Sequence, residues 1–189
     1  MGKLSVTDFL QVVKNTPLIA LDVVVKDPIT HKILLGYRKN EPAKNTWFVP
    51  GGRIYKNERI EDALKRILKD ELGIDCYHGD YKIVSVTDHI YDTCFYEKDP
   101  SYTNTHYVVL GVEVSILASK IKYDLLLDQH TKYTWMTPYQ MIHHTEVHIN
   151  TIKHLQQEGL TGHLSFPKSF HPVRFILQGL SRWISFFRE

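Results

Sequence analysis

Apolar side chains recur at three- and four-residue intervals in three stretches of this 189-residue chain, and shorter extended segments run between them. In the first stretch, 5–14, Phe9, Leu10, Val12 and Val13 predict a short amphipathic helix, which Thr16-Pro17 ends. Leu18–Val25 then reads as a buried strand carrying one charge, Asp22, and Asp27-Pro28 turns the chain into a second strand, Lys32–Arg38. The second helical stretch places Ile60, Ala63, Leu64, Ile67, Leu68 and Leu72 on one face, with Asn57 as its N-cap and Gly73 at its left-handed end. Tyr81–Tyr91 and His106–Leu117 are rich in Val, Ile and Tyr and predict strands, as does Tyr133–Met136, after which Thr137 caps a helix starting at Pro138. In the third stretch, Val173, Ile176, Leu177, Leu180, Trp183, Ile184 and Phe187 share helical spacing behind the breakers Phe166-Pro167 and His171-Pro172. Strands and helices mixed in this order predict an α/β domain over 1–160, a mixed sheet sandwiched between helices. Residues 161–189 are expected to be a C-terminal extension with one amphipathic helix.

Composition narrows this picture only slightly. Hydrophobic residues make up 43% and charged residues 23%, as in an ordinary soluble domain. A formal net charge of +2 gives no case for nucleic acid as a partner. Cys76 and Cys94 fit neither a metal spacing nor a disulfide framework, so a reducing, cytoplasmic setting is expected. No run is long enough to cross a bilayer. The C-terminal helix is expected to dock on the domain or on a second subunit, with a membrane-surface role as the alternative. His143, His144, His148 and His154 read as polar helix positions.

The chemistry concentrates in Gly52–Ile74, GRIYKNERIEDALKRILKDELGI. A glycine loop feeds a helix with Glu58 in its first turn, Arg66 two turns later and Asp70-Glu71 just before Gly73. Positions 67, 70 and 71 share one helix face, because residues three and four apart are neighbours. The plain alternative is a solvated face laced with Asp62–Arg66 and Arg66–Asp70 ion pairs. The preceding Trp47–Arg53, an apolar strand end, a proline and two glycines that allow close backbone approach to a ligand, favours a site.

This spacing resembles the Nudix box, in which Gly52, Glu58, Arg66, Leu68, Glu71, Gly73 and Ile74 match and two positions depart. Ile67 stands where the pattern has a glutamate, and Asp70 replaces another. With fewer charged oxygens on that face, a single hard cation held partly by neutral ligands is expected. Thr16–Asp22, Leu34–Arg38, Trp47–Arg53, Asp88–Asp92, Thr105–Gly111 and Asp128–His130 further resemble segments of the GDP-mannose mannosyl hydrolase family, which shares the aliphatic residue after the arginine. The likeness spans about residues 5–155.

The resemblance implies a Nudix fold and magnesium-dependent hydrolysis of a GDP-sugar to GDP and free sugar; the carboxylate missing at position 67 leads to the expectation that water attacks the anomeric carbon with inversion. It implies Glu71, the Gly51 carbonyl and Gln129 as metal ligands and a homodimer linked to surface polysaccharide sugars; the general base must come from elsewhere, and His130, expected on a loop after Leu125–Asp128, is the choice for it. Histidine suits the base because it titrates near neutral pH. Arg38, Arg53 and Arg66 offer forked donors for diphosphate oxygens or sugar hydroxyls, and Tyr107 can donate to the departing phosphate. The resemblance further implies Asp22 and His89 as the residues near the sugar hydroxyls; a buried Asp22 needs a partner. Two rivals are a conventional Nudix pyrophosphatase acting at phosphorus and a Nudix-fold module that binds a nucleotide sugar without turning it over.

Overall fold

A computed structural model describes residues 4–94, 104–122 and 130–155. The expected C-terminal helix within 161–189, and the boundary at 160, lie outside these residues.

Helix α1 (Val6–Asn15) is capped by Ser5, whose hydroxyl accepts from the Asp8 amide at 3.1 Å. It leads into β1 (Leu18–Lys26), followed by β2 (Ile33–Arg38), β3 (Trp47–Phe48) and β4 (Gly51–Arg53). Helix α2 (Ile60–Leu72) precedes two eleven-residue strands, β5 (Tyr81–Tyr91) and β6 (Thr105–Ser115). Strand β7 (His130–Met136) and the short helices α3 (Pro138–His143) and α4 (Ile149–Lys153) complete the described chain.

The seven strands make one mixed sheet in the order β3-β2-β1-β6-β5, with β4 pairing β1 and β7 pairing β2. Strands β1 and β6 run parallel over nine register pairs, from Leu18 opposite Tyr107 to Lys26 opposite Ser115; the other pairings are antiparallel. Alternation along β1 divides the core. Leu21, Val23 and Val25 pack with Leu64, Ile67 and Leu68 of α2 on one face. Val24 packs with Leu35, Phe48, Met141 and Ile152 on the other. The expected α/β sandwich is therefore what the chain adopts.

Helix α2 ends as its sequence predicts. Gly73 sits at φ 64, and its amide and that of Ile74 return to the Lys69 and Leu68 carbonyls. Its start differs from the expectation. Arg59, not Asn57, is the N-cap residue, and Asn57 adopts φ 66 in the preceding turn. Glu58 lies before the helix because Arg66 recruits both its oxygens, at 2.6 and 2.8 Å, while Glu58 also accepts from the Tyr55 amide. That pair replaces the Asp62–Arg66 and Arg66–Asp70 pairings that spacing alone allowed. At α3, Thr137 and Gln140 form the reciprocal capping box, with Pro138 at the first helical position.

Candidate active site

One cavity of about 730 Å³ opens where the edge of α2, the Gly51-Gly52 segment of β4 and the polar faces of β1, β5 and β6 meet. Its walls hold Asp22, Arg38, Gly51, Arg53, Arg66, Glu71, His89 and Tyr107, eight of the ten predicted site residues. Gln129 lies outside the described residues. His130 lies behind Glu71 and is not on the cavity wall.

The α2 side is built by the helix period. Ile67, Asp70 and Glu71 all reach the cavity from one face. Glu71 is a buried carboxylate, and Ile67 is 1% exposed, seated against the Gly52 backbone. The position that lacks a carboxylate is thus a packed core position under the glycine loop. A buried carboxylate and a main-chain carbonyl on one wall, with Asp70 beside them, are hard oxygen donors of the kind magnesium takes.

The arginines are held differently. Arg66 gives Nε and one Nη to Glu58 and also donates to the Arg53 carbonyl at 2.8 Å, so most of its fork is engaged within the protein. The Arg53 guanidinium stacks 3.6 Å from the Phe9 ring centroid, which ties α1 to the site; burial lowers its pKa. Arg38 donates through Nε to the Pro42 carbonyl at 2.9 Å. Burial raises the Tyr107 pKa against the opposing charges of Arg53 and Arg38, and its phenol remains a donor at neutral pH.

His130 opens β7, opposite Arg38, instead of sitting on a loop. Its Nδ1 is 3.1 Å from the Tyr133 hydroxyl and 3.4 Å from Glu71 Oε2. The Tyr133 hydroxyl itself donates to the Glu71 carbonyl at 3.4 Å. Nε2 is enclosed and bonded to nothing among the described residues.

The β1/β5 wall carries a buried polar cluster. Asp22 Oδ2 is 2.9 Å from His154 Nε2 and 3.8 Å from His89 Nδ1. His154 Nδ1 meets Ser85 Oγ at 2.7 Å, and His89 Nε2 meets Thr87 Oγ1 at 3.0 Å. Burial pushes the His89 pKa down to about 4, against the pull of Asp22, so the ring is neutral. Asp22, His89 and His154 also place potential metal-ligating atoms within 4.8 Å of one another. His154 overturns its reading as a polar helix position: it is 3% exposed and is the partner that buried Asp22 required. Tyr91, on the cavity wall with its pKa raised by burial, also had no assigned role. Nothing in the spacing of NTIKH marks His154; only the tertiary approach of α4 to β5 does.

Residues 16–156 match the family described as the NUDIX domain. The chain belongs to the Nudix family. Hydrolysis of nucleotide derivatives, generally with divalent metal ions, is the chemistry of that family. Among curated relatives, the low-salt glycan biosynthesis protein Agl8 of Haloferax volcanii is 35% identical over 135 residues, 70% of this chain and 79% of the relative. An ADP-ribose pyrophosphatase of Methanocaldococcus jannaschii is 38% identical over 58 residues, about a third of each chain (31% and 33%). Among solved structures, a MutT NUDIX hydrolase from Burkholderia pseudomallei aligns with TM-score 0.59 at 21% identity, over 77% of this chain and 100% of that one. The NUDIX domain of Shewanella oneidensis NrtR, crystallised with ADP ribose, aligns with TM-score 0.54 at 15% identity, over 81% and 97%. These two likenesses establish the fold. None of the helices among the described residues is long and apolar enough to cross a membrane.

Proposed function

We propose that this Nudix hydrolase cleaves a GDP-sugar, GDP-mannose or GDP-glucose, to GDP and free sugar, by attack of water on the anomeric carbon with inversion. The observation that carries the reading is Ile67. An aliphatic side chain packed under Gly52 denies the cavity the carboxylate that would help hold additional metal beside the phosphates. The opposite requirement, polar groups that can read sugar hydroxyls, is met by Asp22 and neutral His89 on the same cavity. A glycan biosynthesis protein among the relatives agrees with a sugar-linked substrate. Guanine and mannose themselves rest on the resemblance of the sequence segments to GDP-mannose mannosyl hydrolases.

Glu71, the Gly51 carbonyl and Gln129 would hold magnesium, which when bound neutralises charge on the departing diphosphate. Arg38 and Arg53 bind diphosphate oxygens, and the protonated Tyr107 donates to the leaving oxygen. Arg66, held mostly by Glu58, contributes positive charge and orders the loop. His130 Nε2 takes the proton from the attacking water; Nδ1, bonded to Tyr133 and close to Glu71, stabilises the resulting imidazolium. In the free protein Nε2 is shielded, so the substrate complex must open a path to it. A homodimer in a cytoplasmic setting, without nucleic acid, and a C-terminal segment 161–189 that docks on the domain or its partner, with membrane-surface contact as the alternative, complete the proposal.

Asp70 favours a second reading. It stands on the cavity wall beside Glu71 and supplies a further carboxylate, as an enzyme attacking phosphorus would use. Incubation with a panel of nucleotide sugars and magnesium separates the two. GDP and a reducing sugar support attack at carbon; GMP and a sugar phosphate support the pyrophosphatase.

A further inference from the structure

Three strands place one residue each in a row across the sheet. Asp22 of β1 is opposite Gly111 of β6, and Gly111 is opposite Ser85 of β5. The register shift between Ile83 and Ser85 sets that alignment. His154, the residue that closes α4, lies over the middle of the row and bonds both ends, Ser85 Oγ at 2.7 Å and Asp22 Oδ2 at 2.9 Å. A side chain at Gly111 would occupy the same space; its Cβ would come within 2.6 Å of His154 Nδ1. The absence of a side chain there is what lets the imidazole lie flat across the sheet.

Serine, histidine and aspartate in this order match a hydrolytic triad in bonding but not in direction. Ser85 is fully buried, whereas Asp22 is the member on the cavity wall. The terminal group presented to a ligand is therefore the carboxylate. Its Oδ2 is taken by His154, while Oδ1 faces the Gly51 backbone and has no partner among the described residues. The Ser85 hydroxyl donates to Nδ1, and Nε2 carries the hydrogen that Asp22 accepts. One buried carboxylate thus keeps one oxygen fixed and one oxygen open.

We propose that His154, bridging Ser85 and Asp22 across Gly111, is a positioning residue that fixes Asp22 as the acceptor for hydroxyls of the substrate's glycosyl group. The idea rests on the GDP-sugar reading and adds the device that orients its sugar-reading carboxylate. Neutral His89, held by Thr87, flanks the same carboxylate at 3.8 Å. Fixing the acceptor before substrate arrives confers discrimination, because a sugar whose hydroxyl points elsewhere leaves Oδ1 unbonded in a partly buried site.

Two variants and one spectroscopic measurement test this. His154→Gln retains a donor near the Nε2 position and should keep KM for the GDP-sugar within about threefold of the wild type. His154→Leu removes it and should raise KM about tenfold or more, with kcat changed far less, and should erode preference between sugars differing in one hydroxyl. Long-range nitrogen–proton NMR of the full-length wild-type protein needs no turnover and should show hydrogen on His154 Nε2. Equal KM and equal sugar preference in both variants, or a ring protonated on Nδ1 alone, overturns the proposal. So does stoichiometric zinc binding that is lost in both variants, since an ion would then stand where the hydrogen is placed. If no GDP-sugar is hydrolysed, the functional reading falls, and the NMR result decides the bridge by itself.

Discussion

His130 Nδ1 lies 3.4 Å from Glu71 Oε2, so the proposed base and the proposed metal carboxylate touch through one wall of the site. The two roles are coupled. A change at either residue therefore alters the surroundings of the other.

His130→Gln should reduce kcat about 100- to 10,000-fold, the usual contribution of a positioned base, with KM little altered. Steady-state kinetics with saturating magnesium checks it. Undiminished turnover with an unchanged pH profile removes His130 from the mechanism.

Glu71→Gln keeps the size of a buried side chain and removes its charge. The magnesium concentration giving half-maximal rate should rise at least about tenfold, since a charged ligand is replaced by a neutral one. A titration of rate against magnesium shows this directly, and an unshifted curve places the ion elsewhere.

Ile67→Glu tests the missing carboxylate. The side chain is 1% exposed, so a charge there should cost on the order of 3 kcal/mol of stability without metal. Magnesium should return part of that loss, visible as a larger rise in Tm than the wild type shows. GMP should then appear among the products. Unchanged products with restored stability would separate metal count from the site of attack.

Arg66 and Glu58 form a two-point pair, with the Arg53 carbonyl as a third partner. Lysine cannot reproduce that fork. Arg66→Lys should lower stability by about 1–2 kcal/mol through lost hydrogen bonds. Thermal unfolding measures the loss, and an unaltered Tm would show that the pair contributes no net stability.

His89 and His148 give a pH dependence of stability. Burial holds both pKa values at about 4, below the ordinary 6.5 that an unfolded chain restores. The unfolded state therefore binds more protons between these limits. Stability is fully present above pH 6.5 and is lost as pH falls toward 4. His89→Asn should flatten that slope by up to about 1.4 kcal/mol per pH unit. Urea unfolding at pH 7.5, 6 and 5 measures it; identical slopes in wild type and variant would contradict the assignment.

The parts of the site that local spacing controls were legible in the chain. The face shared by Ile67, Asp70 and Glu71, the Gly73 stop and the Thr137 cap all follow from helix geometry within a few residues. The start of α2 was not, because Glu58 answers to Arg66 eight positions away instead of to the helix end. Strand β5 shows why the sugar side was harder to read. Ser85, Thr87 and His89 face inward while Val86 and Ile90 face solvent, the reverse of ordinary patterning. Period two assigns residues to faces but does not say which face is covered. His154 was invisible for a related reason: its role exists only because α4 lies over Gly111.

Hydrolysis of a GDP-sugar in oxygen-18 water tests the central claim most directly. Attack at the anomeric carbon predicts label in the free sugar and none in GDP. Label in the nucleotide product would place the attack on phosphorus and contradict it.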